Sequence, residues 1–240
     1  MADLFVSDHF WYYAVARTGL LAAVAIGSGL AAKVLHGWHD YLGKAWTLLT
    51  LEYVVLVASE LGKRFLPDLP WIEESTLVVA NLAGIGAFLL FARAFRAAGL
   101  GFGTSRAANV GFTLLALVLA AALVHGTLSY EADQLAAGNL EPGQIVSAIA
   151  DMTTFVLIAP LLLTTLSLRG GQLFWIFLML TVGNAGWMVN QGADKVAELA
   201  GLGDDWTRVG RMAGFALACC FLSAAALTQW SSTRRGVRRA

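Results

Sequence analysis

The sequence predicts an all-α integral membrane protein: a seven-transmembrane-helix bundle with its N-terminus outside and its C-terminus in the cytoplasm. Three observations predict it. Seven apolar stretches, each about the 20 residues that an α-helix needs to cross a bilayer, fill almost the whole chain. The composition is 58% hydrophobic and 13% charged with a mean hydropathy of +0.68, whereas soluble domains carry about 25% charged residues. The basic residues also collect in alternate connections between the stretches.

The first span is expected over 10–35. Asp3 and Asp8 precede it with no basic residue, unlike the basic n-region of a signal peptide, so it is expected to be retained as a helix. His36-Gly37-Trp38-His39 ends it. The second span, 44–63, runs to the break at Pro67 to Pro70, and the third, 75–98, starts at a candidate cap, Ser75. Gly99 to Gly103 separates it from the fourth span, 106–130. Glu141-Pro142-Gly143 opens the fifth, 143–168, with Pro142 suited to a first helical turn, where a missing N–H costs nothing. Gly170-Gly171 leads to the sixth, 171–195, whose end carries Asn190, Gln191, Asp194 and Lys195. Gly201 to Asp205 precedes the seventh, 206–231, and residues 232–240 form a basic tail. One membrane domain, 1–240, accounts for the chain.

Orientation follows from charge. Lys33, Lys44, Arg93, Arg96, Arg106, Arg169, Arg234, Arg235, Arg238 and Arg239 lie on one side, ten of the sixteen basic residues, with Asp40 as the acid among them. Asp3, Asp8, Asp68, Glu73, Glu74, Glu131, Asp133, Glu141, Asp204 and Asp205 lie on the other. Cytoplasmic loops carry the excess of Lys and Arg, which places the N-terminus outside. Trp11, Trp38, Trp71, Trp206 and Trp230 fall near the expected interfaces, where amphipathic rings settle.

Ionisable residues in hydrocarbon cost about 2.5–3.5 kcal/mol each on insertion scales, so they face partners or water. Here they concentrate in the outer half: Arg17, Glu52, Glu60, His125, Asp151, Asp194, Arg208 and Arg211, with Asn184 and Gln191 beside them. Asn184, Trp187, Gln191 and Asp194 form one stripe of a helix, and His9, Tyr13 and Arg17 form another. The expected ligand-binding residues are therefore Arg17, Glu52, His125, Asp151, Asn184, Trp187, Gln191, Asp194 and Arg211, around an outward-opening pocket. Arg17 and Arg211 are expected to pair with Glu52, Asp151 or Asp194. The alternative is a buried polar network that only fixes packing. Small-residue stripes, Gly19-Ala23-Gly27-Ala31 and Gly210-Gly214, let helices approach closely within a bundle or a dimer.

Several chemistries are argued against. A bis-histidine haem needs two histidines at matching depth, but His36 and His39 lie in a loop on one side and His125 near the other. The same scarcity argues against zinc-dependent intramembrane hydrolysis. Adjacent Cys219 and Cys220 cannot staple distant segments. The seven-helix, N-outside plan resembles that of microbial rhodopsins, but covalent retinal needs a lysine midway along the last helix, and none stands between Trp206 and Ser231. The architecture is also similar to the seven-helix input modules of bacterial signalling proteins. Nucleic-acid binding has no support beyond the arginine tail. The cofactor is unknown.

The expected function is a non-enzymatic, multi-pass protein of the cell membrane, either a receptor-like sensor or an accessory subunit of a membrane complex. Its expected partners are the lipid bilayer, a protein docked on the cytoplasmic loops or tail, and a second copy of the chain. The alternatives are a small transporter or channel, and an intramembrane enzyme using Glu52, Asp151 and His125.

Overall fold

The computed structural model describes residues 8–65, 69–97, 105–136, 138, 142–166, 171–201 and 203–237. Among them run seven α-helices and one 3-10 turn, with no strand: α1 Asp8–Val34, the turn Gly37–His39, α2 Tyr41–Phe65, α3 Pro70–Ala97, α4 Arg106–Ala136, α5 Pro142–Leu166, α6 Gln172–Leu199 and α7 Asp204–Val237. Apolar side chains select these segments, and a helix satisfies its interior N–H and C=O groups within itself, as a lipid environment demands; Pro160 inside α5 is an exception, having no N–H to give.

Among the described residues, six helices are long and apolar enough to cross a membrane, over Val15–Val34, Tyr41–Lys63, Trp71–Ala97, Ile145–Leu163, Gln172–Ala193 and Trp206–Arg235. α4 is the difference from the seven expected. Its apolar stretch is the shorter Ala107–Ala122, beyond which come the exposed residues His125, Ser129 and Asp133.

Helix ends follow local chemistry. The turn after α1 needs left-handed backbone at His36 (φ 58°) and Gly37 (φ 59°). Asp40 then caps α2 by accepting the Gly43 N–H. A Cβ on Gly43 would lie within 2.9 Å of the Leu35 carbonyl oxygen, so the tight return requires glycine. α3 starts earlier than expected, at Pro70, because proline is pre-set for a first turn. Ser75 consequently lies inside the helix and donates to the Trp71 carbonyl at 2.8 Å instead of capping. Pro142 opens α5 as expected. Glu74 of α3 accepts the Gly143 N–H there, placing an anion at a helix N-terminus. α7 continues to Val237, so Arg234 and Arg235 form its last turn. The expected breaks at Gly99 to Gly103, Glu141 and Gly170, and Arg238 and Arg239 of the tail, lie outside the described residues.

Packing closes a ring: α1 on α2, α2 on α3, α3 on α5, α5 on α6, α6 on α7 and α7 back on α1. α4 packs outside it, against α5 and α6. The core inside the ring is aliphatic and aromatic, with Leu21, Val24, Leu49, Phe91, Ile158, Leu161, Phe177, Leu180 and Leu222 among its buried members. Small residues set the closest approaches. On α1, a Cβ on Gly27 would lie 3.3 Å from Ala226 of α7, while Gly19 has nothing within 4 Å. On α7, Gly210 and Gly214 face Ala193, Gly186 and Asn190 of α6. The GxxxG of α7 thus serves a contact within the chain.

Candidate functional site

One cavity lies midway along the helices, among α2, α3, α5, α6 and α7. Helical spacing supplies its walls. Leu49, Glu52 and Tyr53 share a face of α2; Asn81, Gly84 and Phe88 share one of α3; Asn184 and Trp187 share one of α6. Ala150, Asp151 and Thr154 come from α5 and Leu222 from α7. Its volume is about 10 Å³, close to the 10–15 Å³ that a single water needs.

The polar groups are held by specific contacts. Trp187 Nε1–H donates to the Tyr53 hydroxyl at 2.9 Å, joining α6 to α2. Gln191 Nε2 donates to Asp151 Oδ2 at 3.1 Å and lies 3.4 Å from Ser147 Oγ. Asn81 and Asn184 each give an amide N–H to their own helix, at the carbonyls of Leu77 and Leu180, both at 2.8 Å. Thr154 Oγ1–H donates to the Asp151 carbonyl at 3.1 Å. Glu52 Oε2 is buried with no donor reaching it. It rests against Gly84, where a Cβ would stand 2.8 Å away. Among the described residues, no Lys, Arg or His lines the cavity.

Toward the end of the bundle where α7 finishes, an aromatic layer lies beyond the cavity. Trp46 and Phe91 meet edge to face at 5.2 Å, Phe91 and Phe177 at 5.9 Å, and Phe95 and Phe177 at 4.4 Å. Such T-shaped pairs put the positive edge of one ring on the negative face of the next. Toward the opposite end the groups are polar. Gln191 and Ser147 continue the Asp151 face, Lys63 pairs with Glu73, and Arg17 pairs with Glu60 at 2.9 Å.

Four of the nine sequence-predicted site residues therefore line the cavity: Glu52, Asp151, Asn184 and Trp187. Gln191 adjoins it through Asp151. Arg17 stands elsewhere. Its guanidinium, expected against Glu52, Asp151 or Asp194, pairs with Glu60 and lies 4.9 Å over the Phe215 ring. Phe215 in turn packs edge-on against Trp187, a wall residue of the cavity, at 5.5 Å. His125 is exposed on α4 and does not line the cavity; Arg211 is exposed on α7. The side chains of Asp194, His9 and Tyr13 lie outside the described ones.

Tyr53, Asn81 and Thr154 are site residues that the sequence reading does not include. Asn81 carried a usable signal, being an amide in the middle of the apolar run of α3. Thr154 carried none, because a threonine in a membrane helix usually satisfies itself locally, and Tyr53 carried none, because its hydroxyl meets a partner on another helix, Trp187. Chemically, the lining offers oxygen acceptors in excess of donors. Among the described residues no group of three or more His, Cys, Asp or Glu converges as a metal cluster. Glu52, Asp151 and His125 do not meet. No family model matches the chain, and neither does a curated protein or a solved structure.

Proposed function

We propose that the chain is a non-enzymatic, seven-crossing protein of the cell membrane, with its N-terminus outside, that works as a receptor-like sensor through the mid-depth cavity. One observation carries this reading. Two carboxyl side chains, Glu52 and Asp151, line a cavity no larger than about one water, deep among apolar helices. Ionisable groups at such depth are costly and mark ligand or ion sites. The size supports a small ligand over an organic one of drug-like dimensions. The layer of edge-to-face rings formed by Trp46, Phe91, Phe95 and Phe177 fills one side of the cavity with close packing, which supports binding over conduction.

The test is a thermal-unfolding screen of the purified protein in lipid nanodiscs against small ions and small polar molecules, repeated on Asp151→Asn. The sensor reading expects at least one compound to stabilise the wild type and to lose its effect in the variant. Liposomes carrying the protein should show no net flux of that compound. Sustained flux would move the assignment to a transporter, and a screen without any stabilising compound would remove the site. A cytoplasm-active reporter is expected to be active at the C-terminus and silent at the N-terminus.

A further inference from the structure

We propose that the cavity is a site for one sodium-class monovalent cation, held by Glu52 and Asp151 with the amide oxygens of Asn81 and Asn184, and that protons compete for it. The inference rests on the reading of the cavity as the ligand site and names the ligand class.

The described contacts of Asn81 and Asn184 direct their amide nitrogens to Leu77 and Leu180, and Thr154 directs its hydroxyl proton to the Asp151 carbonyl. The donors of Asn81, Asn184 and Thr154 go to their own helices, those of Trp187 and Gln191 go to Tyr53 and Asp151, and oxygens remain for the cavity. An amide carries its oxygen opposite its nitrogen, so an asparagine tied back by nitrogen presents oxygen. Glu52 Oε2 is the strongest of these acceptors, and it is buried with no donor. Buried polar atoms are satisfied with few exceptions, and an orphaned carboxyl oxygen in an apolar core asks for a ligand. Hard cations take carboxylate and carbonyl oxygens.

Size and charge select the cation. Room on the order of one water excludes Mg²⁺, which keeps several of its waters. Ca²⁺ takes 6–8 oxygens, often with both carboxylate oxygens of one side chain, whereas Asp151 Oδ2 is already engaged by Gln191. A monovalent ion with one carboxyl ionised and the other protonated leaves the site neutral. With both carboxyls protonated and no ion, the site is neutral too. Binding is then an exchange: one cation enters, and one proton leaves a carboxyl for bulk water.

The titratable and charged groups facing Glu52 are Asp151 on α5, Tyr53 on its own helix and Cys219 on α7. Arg17 of α1 acts electrostatically on Cys219 and pairs with Glu60. α3 and α6 present Asn81, Gly84, Phe88, Asn184 and Trp187, none of them ionisable at ordinary pH. Gly84 completes the cradle, since a Cβ there would stand 2.8–2.9 Å from the Glu52 carboxyl atoms.

The experiment is thermal unfolding of the nanodisc protein titrated with sodium chloride, using choline chloride to hold ionic strength constant, over roughly two pH units. Sodium is expected to raise the unfolding temperature and choline to leave it unchanged. One-for-one exchange raises the half-saturating sodium concentration about tenfold for each pH unit of acidification where protons win. Glu52→Gln is expected to lose the sodium response while unfolding no lower than the ion-free wild type. Glu73→Gln, a loop-proximal control, should keep it. If Glu52→Gln does not fold, Asp151→Asn and radioactive-sodium binding to the wild type decide. Equal curves in sodium and choline at every pH overturn the inference, as does a response confined to calcium or one that survives in Glu52→Gln. If an organic compound instead stabilises in an Asp151-dependent way, the sensor reading stands and the cation falls. If nothing stabilises, both fall.

Discussion

Gly186 of α6 and Gly214 of α7 hold their backbones in direct apposition. A Cβ built on Gly186 would lie 2.8 Å from the Gly214 carbonyl oxygen, and one on Gly214 would lie 2.7 Å from the Gly186 carbonyl oxygen. The obstructing atoms are main chain on both sides, so no rotamer change relieves the clash. Trp187 follows Gly186 directly, so this approach also fixes one wall of the cavity.

Gly186→Ala is therefore expected to destabilise the protein by about 1–3 kcal/mol, the usual cost of overpacking. Gly19→Ala, where nothing lies within 4 Å, is the matched control and should be neutral or slightly stabilising. Thermal unfolding in nanodiscs compares them. Equal behaviour of the two variants would mean that α6 and α7 are not apposed at this pair.

Gly84→Ala should separate stability from binding. The group in its way is the flexible end of Glu52, which can swing aside. The expected outcome is a folded protein with an unfolding temperature near wild type and a sodium affinity reduced several-fold. An unchanged sodium titration would show that the Glu52 carboxyl is not placed by Gly84.

Tyr53→Phe deletes the acceptor for the Trp187 indole N–H, leaving a donor in an apolar wall. The expected loss is about 1–3 kcal/mol, the cost of a buried unsatisfied group. Trp187→Phe removes the other partner, and the double variant should lose less than the sum of the two. A double-mutant cycle measures the difference, and strict additivity would rule out the bond.

Arg17 and Glu60 form an ion pair at 2.9 Å between α1 and α2, with Arg17 also over Phe215. Arg17→Gln and Glu60→Gln should couple by about 0.5–1 kcal/mol in unfolding, a modest value because Arg17 is one-third exposed and the pair is accordingly screened. Arg17→Lys should retain most of the pairing and lose the ring contact. Additive single effects would place the two charges apart.

What could be read from the sequence was periodicity and position along each helix. The spacing of Asn184, Trp187 and Gln191 put them on one face of α6, and the structure brings that face to Glu52 and Asp151. The position of Arg17 along α1 was legible as well. Its partner was not, because distance along a helix says nothing of which way a neighbouring helix turns. Arg17 pairs with Glu60, a residue outside the expected set, for that reason. His125 illustrates the same limit. A histidine beyond an apolar run reads as a buried polar group until the helix carrying it proves to lie outside the ring. Boundaries moved where polar residues extended a helix past its apolar core, as at the ends of α4, α6 and α7.

The external position of α4 has a consequence for assembly. Chain order makes α4 the fourth helix synthesised, yet α3 finds α5 as its neighbour and the ring closes without it. In folding terms, α4 is free to dock last and detach first. Its departure would uncover Met188 and Ala148, which it packs through Ala120 and Val124, while every wall residue of the cavity keeps its place on a ring helix. The protein can thus shed one-seventh of its helices before the wall is breached, and local unfolding should begin there.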